Sequence, residues 1–230
     1  MNISDEKIII LDFGSQYTQL IARKVRELGV YSEIVPYNTD IGVLQESAVR
    51  AIILSGGPSS IYEDGAPHMD DKVFELGKPV LGICYGLQHL AYSLNGKVAP
   101  SAEREYGRAQ LQMQTDSPLF ADVASGSIVW MSHGDRLEAL PDDFAVIART
   151  ENSPIAAIGD ENRHFYGIQF HPEVHHSADG KKILGNFLFK IASCKGNWTT
   201  ASFIEREIAS IREQVGDQKS DLRFIRWCRF

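Results

Sequence analysis

Apolar residues fall in short continuous blocks along the first third of the chain, and between the blocks they recur at helical spacing. Residues 7–12 read as a buried strand, and Leu20, Ile21, Val25 and Leu28 then share one face of a helix expected over residues 16–28. Ser15 is placed to cap that helix and Gly29 to end it. Residues 31–35 and 50–54 predict two further strands, the second running into the turn Ser55-Gly56-Gly57-Pro58. A helix is expected over residues 67–76. The apolar run 78–81 then predicts a strand, followed by a turn at Cys84 and a helix carrying Leu87, Leu90, Ala91 and Leu94. Such alternation predicts an α/β fold, a central mostly parallel sheet flanked by helices, with ligands gathering outside the carboxyl ends of its strands. Gly56-Gly57 and Cys84 both fall at such ends.

From residue 97 to residue 170 the pattern changes to short strands and turns, expected at 108–113, 127–131, 144–149, 155–158 and 165–168. These predict an antiparallel extension that makes the sheet mixed, within the same domain. Residues 180–192 then predict a helix with Ile183, Leu184, Phe187, Leu188 and Ile191 toward the core. After Gly196, the spacing of Phe203, Ile204, Ile208, Ile211 and Val215 predicts an amphipathic helix over 202–215, an arm toward something else. The expected organisation is one domain over 1–196, a linker helix over 197–219, and a tail at 220–230.

Composition narrows the classes of function. The 230 residues, 43% hydrophobic, suit one sizeable core, and a formal net charge of −7 argues against sequence-independent nucleic-acid binding. No apolar run reaches the roughly 18 residues of a membrane span. The first six residues lack the basic and apolar regions of a signal peptide. Cys84, Cys194 and Cys228 are odd in number and far apart, so neither a disulfide framework nor a metal cluster is expected, and a reducing cytoplasm is the expected location.

The densest chemistry lies in Gly82-Ile83-Cys84-Tyr85-Gly86-Leu87-Gln88. Glycines on either side of Cys84 permit a sharp, strained strand-to-helix turn, which sets the thiol beside a helix N-terminus that favours a thiolate. The competing reading is a buried core cysteine. A nucleophilic cysteine needs a base, and the base needs an orienting group. Of seven histidines, His171 in His171-Pro172-Glu173 stands out, because it follows a strand and Pro172 keeps it extended. Residues two apart in an extended chain share a side, so Glu173 can hold one imidazole nitrogen while the other faces the thiol. Gly56-Gly57 and the amide of Tyr85 offer unobstructed backbone N–H groups for an oxyanion hole. His133 reads as a structural or loop residue rather than a second base. His175-His176 lacks a spaced ligand cluster and reads as a solvated turn or partner contact rather than a metal site. Tyr17, Cys194 and Trp198 read as packing residues.

Gly-Ile-Cys-Tyr-Gly-Leu-Gln (82–88) with Phe170-His171-Pro172-Glu173 resembles the class I, triad-type glutamine amidotransferases. Residues 11–23 (LDFGSQYTQLIAR), Leu54-Ser55-Gly56-Gly57-Pro58, Met131-Ser132-His133-Gly134-Asp135, residues 166–174 and Gly196-Asn197-Trp198-Thr199 resemble the amidotransferase portion of GMP synthases, over roughly residues 7–219. The resemblance implies a flavodoxin-like fold and hydrolysis of glutamine to glutamate and ammonia through a Cys84 thioester. It implies His171 as acid and base, Glu173 as its orienter, and the backbones of Gly57 and Tyr85 as oxyanion donors. Gly56, Gln88, Ser132, Gly134 and Asp135 would hold the glutamine. No cofactor is implied for this chain. ATP and Mg belong to the ATP-pyrophosphatase (synthetase) domain, the implied partner, where the ammonia aminates XMP.

The tail departs from that family. Residues 219–230 can be encoded so that deleting one adenine yields Lys-Val-Ile-Cys-Gly-Leu-Ser-Gly-Gly-Val-Asp, the wording expected of the synthetase phosphate loop. The tail is therefore expected to be an out-of-frame image of that loop, and DNA sequencing decides it. Two other readings stand beside the glutaminase: an idle remnant or docking module, and an amidotransferase serving another acceptor, which 13–23 and 196–199 argue against.

Overall fold

Strands β1 (Lys7–Asp12), β3 (Val49–Leu54) and β4 (Val80–Ile83) are apolar at nearly every position because both sides of their sheet are covered. The computed structural model describes residues 6–216. Within it, side chains from each strand divide between two cores. Ile8, Ile10, Ala51, Ile53, Leu81 and Ile83 face one side, where α1 (Thr18–Glu27) supplies Ile21, Ala22 and Val25 and α4 (Gly180–Asn186) supplies Ile183 and Leu184. Ile9, Leu11, Ile52, Leu54 and Val80 face the other, against Leu44 of α2 (Ile41–Gln45) and Leu87, Leu90 and Ala91 of α3 (Tyr85–Ser93). Burying each large aliphatic side chain contributes roughly 1.5–3 kcal/mol over leaving it in water, and this double coverage stabilises the sheet.

The sheet has eight strands in the order β2-β1-β3-β4-β10-β9-β8-β6, where β2 is Tyr31–Pro36, β6 Gln112–Met113, β8 Ala145–Arg149, β9 Ala157–Asp160 and β10 Phe165–Ile168. β2, β1, β3, β4 and β10 run parallel, whereas β9, β8 and β6 add antiparallel. The α/β architecture with its antiparallel extension is as the sequence pattern implies. A separate antiparallel ribbon joins β5 (Lys97–Gln110) to β7 (Ile128–Ala139). Its side chains alternate between half-buried and buried along residues 128–137. β7 is pinned across the carboxyl end of β10, since Met131 bridges to Phe170 and the His171 N–H donates to the Trp130 carbonyl at 3.0 Å.

Several expectations need correction. The helix expected over 67–76 is only a 3₁₀ turn at Asp71–Glu75. Backbone groups before it are drawn into tertiary bonds: the Pro67 carbonyl accepts from the Tyr85 hydroxyl at 2.7 Å, and the Met69 N–H donates to His89 at 3.1 Å. Strand β7 runs eight residues beyond the expected end at 131, and β5 begins well before 108. Polar residues on the solvated side of the ribbon hide its length from a reading based on apolar blocks. The first helix begins at Thr18 rather than Gln16, and its buried face carries Ile21, Ala22 and Val25, with Leu20 only half-buried. The helix from residue 180 turns into a π-helical turn at Phe187–Ile191, which still buries Phe187, Leu188 and Ile191.

Helix α5 (Thr200–Val215) starts two residues earlier than expected, where Thr199 and Ser202 form a reciprocal capping box. Its root is fastened by the Trp198 N–H to the Gly29 carbonyl and by stacking of Phe203 on Tyr31. Beyond the root, Ile204, Ile208 and Ile211 are exposed. The expected tail at 220–230 lies outside the described residues. Among the described residues, no helix is long and apolar enough to cross a membrane.

Candidate active site

Cys84 stands between the last residue of β4 and the first of α3, with φ 53° and ψ −107°. A non-glycine residue held at positive φ costs of order 1–3 kcal/mol, and the surroundings must impose it. They do so through close backbone approach. A side-chain carbon on Gly82 would stand 2.5 Å from the Gly86 backbone, and one on Gly86 would collide with the Leu54 carbonyl. The turn is locked further by the Cys84 N–H donating to the Ile168 carbonyl at 2.8 Å. The thiol is thus presented at the carboxyl edge of the sheet, 7% exposed, at the mouth of a helix whose first N–H groups lack intrahelical partners.

His171 reaches the same point from the end of β10. Its Nδ1–H donates to Glu173 Oε1 at 2.7 Å, and its ring lines the same cavity as the Cys84 thiol, which itself donates to the Ser132 carbonyl at 3.6 Å. With Nδ1 committed to Glu173, Nε2 is the nitrogen left for sulfur. Burial works against the imidazolium, but interaction with Cys84 and Glu173 outweighs it, and the pKa is pushed up to about 10. Glu173 is fully buried, and its Oε2 has no hydrogen-bond partner among the described residues. The ring is further fixed edge-on by Tyr17, centroids 5.1 Å apart. Tyr17 is therefore a wall of the site rather than core packing alone.

A cavity of about 760 Å³ opens over the thiol. Gly57, Tyr85, Gln88, Ser132, Gly134 and Asp135 line it together with Cys84 and His171. Gly56 stands apart from its expected partners: it is buried behind the wall, and a side chain there would press on Ser15 Oγ and His171 Cε1. The 132–135 segment lies near because β7 is pinned at Trp130 and Met131. Within it, the Asp135 carbonyl accepts from His133 Nδ1–H at 2.8 Å and from Gln88 Nε2 at 3.4 Å. The opposite edge of the His133 ring faces Glu105 Oε2 at 3.4 Å, and Glu105 accepts from the Thr150 hydroxyl at 3.2 Å. His133 is thus a buried structural brace within β7, a strand residue paired with Glu105 rather than a loop residue.

Sequence reasoning missed three neighbours. Gln169 Nε2–H donates to Cys84 Sγ at 3.7 Å. It sits two residues before His171 on the same extended segment, and that period-two spacing was the available signal. Tyr62 donates its hydroxyl to Asp135 Oδ1 at 2.7 Å across 73 residues of chain, and Glu105 joins His133 from the ribbon. No local pattern marks either residue.

The remaining candidates fall away on geometry. Burial pushes the Cys194 thiol up to about 12, leaving it an inert core residue. His175 and His176 are exposed, and His176 tilts over Trp130 at 4.6 Å. Among the described residues, no group of three or more His, Cys, Asp or Glu side chains is arranged to hold a metal ion. His89 is wholly buried, its Nε2 accepts the Met69 N–H, and burial, aided by His68, pulls its pKa down to about 4. It is a neutral structural imidazole.

A stability prediction follows from that neutrality. An unfolded His89 takes a proton near pH 6.5, whereas the folded one resists until about 4, so the unfolded state gains protons first as pH falls. Folding stability is expected to fall by roughly 3 kcal/mol from this residue across that window, since one pKa unit corresponds to about 1.4 kcal/mol. His89→Gln keeps an acceptor for Met69 but cannot titrate. Urea melts at a series of pH values should show a shallower slope for the variant; parallel slopes would assign the acid sensitivity elsewhere.

Comparisons with known proteins agree with the geometry. The family described as "Glutamine amidotransferase class-I" matches residues 9–191. The chain is 53% identical over 212 residues to a GMP synthase (glutamine-hydrolyzing) of Aliarcobacter butzleri, covering 92% of this chain and 42% of that protein. With its counterpart in Solidesulfovibrio magneticus it shares 56% over 217 residues, 93% of this chain and 42% of the relative. The chain therefore spans about 42% of the length of these curated relatives. Among solved structures, a Thermoplasma acidophilum protein assigned provisionally to GMP synthase superposes with a TM-score of 0.71 at 30% identity, over 88% of this chain and 98% of that one. A Thermotoga maritima glutamine amidotransferase shares the fold, with a TM-score of 0.66 at 17% identity over 82% and 98% of the two chains. With the family match extending from β1 to the end of the π-helical turn, across the whole sheet and the Cys84 elbow, this chain belongs to the class I glutamine amidotransferases.

Proposed function

We propose that this chain is the glutamine-hydrolysing half of a GMP synthase, working through a Cys84–His171–Glu173 triad. The observation that carries this reading is the strained Cys84 turn sharing one cavity with an imidazole whose Nδ1 is held by a buried carboxylate. The sulfur attacks the side-chain amide carbon of glutamine, and the resulting oxyanion meets the backbone N–H groups of Gly57 and Tyr85. His171 gives its proton to the departing nitrogen, releasing ammonia and leaving a γ-glutamyl thioester. Water then attacks the thioester while His171 takes back a proton, and glutamate leaves with the thiol restored. Gln88 and the 132–135 segment hold the amino-acid end of the substrate. Ammonia passes to an ATP-pyrophosphatase domain, in cis or in trans, which uses ATP and Mg to activate XMP for amination. The cytoplasm is the proposed compartment.

The exposed Ile204, Ile208 and Ile211 face on α5 supports a second reading, in which the domain stays silent until a synthetase partner docks. One experiment addresses both. Glutamine turnover is measured with and without an added synthetase domain, ATP and XMP, and acid quenching with isotope-labelled glutamine traps the thioester. Equal release of ammonia and glutamate, with label on the Cys84 peptide, is the expected result. Turnover only with the partner selects the docking reading, and absence of turnover under both conditions removes the proposal.

A further inference from the structure

The cavity wall opposite the thiol is held by a contact that the reaction chemistry does not use. Asp135 is 9% exposed, and its backbone carbonyl is fixed from two sides by His133 and Gln88. Those bonds settle the main chain but leave the side-chain torsions of the carboxylate undetermined. Tyr62, from the loop after β3, supplies the missing constraint by donating its hydroxyl to Oδ1 at 2.7 Å. The phenol is itself 44% exposed, so only its hydroxyl end is engaged, and it reaches across the cavity mouth. Burial of that end and the Asp135 carboxylate push its pKa up from the ordinary value, so it remains a donor at neutral pH. A carboxylate with one oxygen committed presents the other, Oδ2, in a fixed direction.

We propose that Tyr62 is a positioning residue for substrate selection: its hydroxyl orients the Asp135 carboxylate to receive the α-ammonium group of an α-amino acid substrate. The inference rests on the glutamine reading of the site and adds to it the group that makes the pocket select for the amino-acid end. A preset acceptor spares the substrate the cost of ordering it on binding, so the effect falls on substrate capture rather than on the bond-breaking step.

The test compares two electrophiles on the full chain. 6-Diazo-5-oxo-L-norleucine carries the α-ammonium and α-carboxylate of glutamine, whereas iodoacetamide carries neither. Labelling rates of Cys84 are measured for the wild type, Tyr62→Phe, Asp135→Asn and the double variant. Tyr62→Phe is expected to slow the amino-acid reagent about tenfold, the scale of a lost hydrogen bond to a charged group, with the iodoacetamide rate retained. In the Asp135→Asn background the tyrosine substitution should add nothing. Equal slowing with both reagents, full additivity of the two substitutions, or no slowing each overturn the inference. Wild-type Cys84 showing no preference for the amino-acid reagent removes the glutamine reading, and the inference with it. Where turnover is measured, the same variant should raise KM about tenfold with little change in kcat; a fall confined to kcat would place Tyr62 in the chemistry instead.

Discussion

Cys84→Ala is expected to lower glutamine turnover by on the order of 10⁶-fold, in line with the loss seen when a nucleophile is removed from a catalytic triad. Each decade corresponds to about 1.4 kcal/mol of barrier, so such a loss would assign the sulfur roughly 8 kcal/mol of transition-state stabilisation. Alanine keeps the Cβ, so the positive φ at this position and the packing of Gly82 against Gly86 are unaltered. The variant should therefore fold as the wild type does and still bind glutamine, because the proposed contacts at Gln88 and the 132–135 segment remain. Calorimetric titration with glutamine and a turnover assay on one preparation separate the two effects. Retained binding with abolished turnover is the expected pair. Turnover within about tenfold of the wild type would show that the thioester route is wrong. Loss of binding together with turnover would mean that the sulfur shapes the pocket rather than reacting in it.

The sequence is readable here to the extent that local rules coincide with tertiary ones. Between its polar ends Lys7 and Asp12, β1 is a run of four fully buried aliphatic residues, and its bounds agree with the sequence reading because burial on both faces leaves no polar position to interrupt that block. The Cys84 turn is equally legible, since Gly82 and Gly86 are demanded by backbone approaches of neighbouring strand and helix. His171 and Glu173 are legible as a pair because extended chain places alternate residues on one side. What escapes is long-range. Residues 67–70 look helical but give their backbone groups to Tyr85 and His89, which no window of local sequence contains. The ribbon of β5 and β7 is half solvated, so polar positions mask its length. Tyr62 enters the site through a partner 73 residues away and Glu105 through His133 on the facing strand, and their identities carry no local mark.

Glu173→Gln is expected to cost about 10²–10⁴ in kcat while leaving the fold intact, the range associated with loss of a well-tuned acid or base. The carboxylate can only accept, so it forces the proton of a neutral His171 onto Nδ1 and leaves Nε2 free to take one from the thiol. A glutamine amide can turn its NH₂ toward Nδ1 instead, which moves the ring proton to Nε2 and removes the acceptor that the sulfur needs. The substitution also removes negative charge beside the imidazolium. In the wild type that charge, with the interaction of the ring with Cys84, overcomes burial and keeps His171 protonated up to about pH 10. In the variant, burial faces weaker opposition, so the pKa drops and the alkaline limb of the kcat/KM profile moves to lower pH. The sign for stability follows from the same shift. A histidine raised above its unfolded value of 6.5 contributes stability that is complete below that pH and disappears as pH climbs through about 10. The stability gap between wild type and Glu173→Gln should therefore be widest below pH 6.5 and shrink toward pH 10. Denaturant melts and activity profiles across that range read both consequences. An alkaline limb that stays in place, with a rate within a few-fold of the wild type, would show that Glu173 only fills space behind the ring.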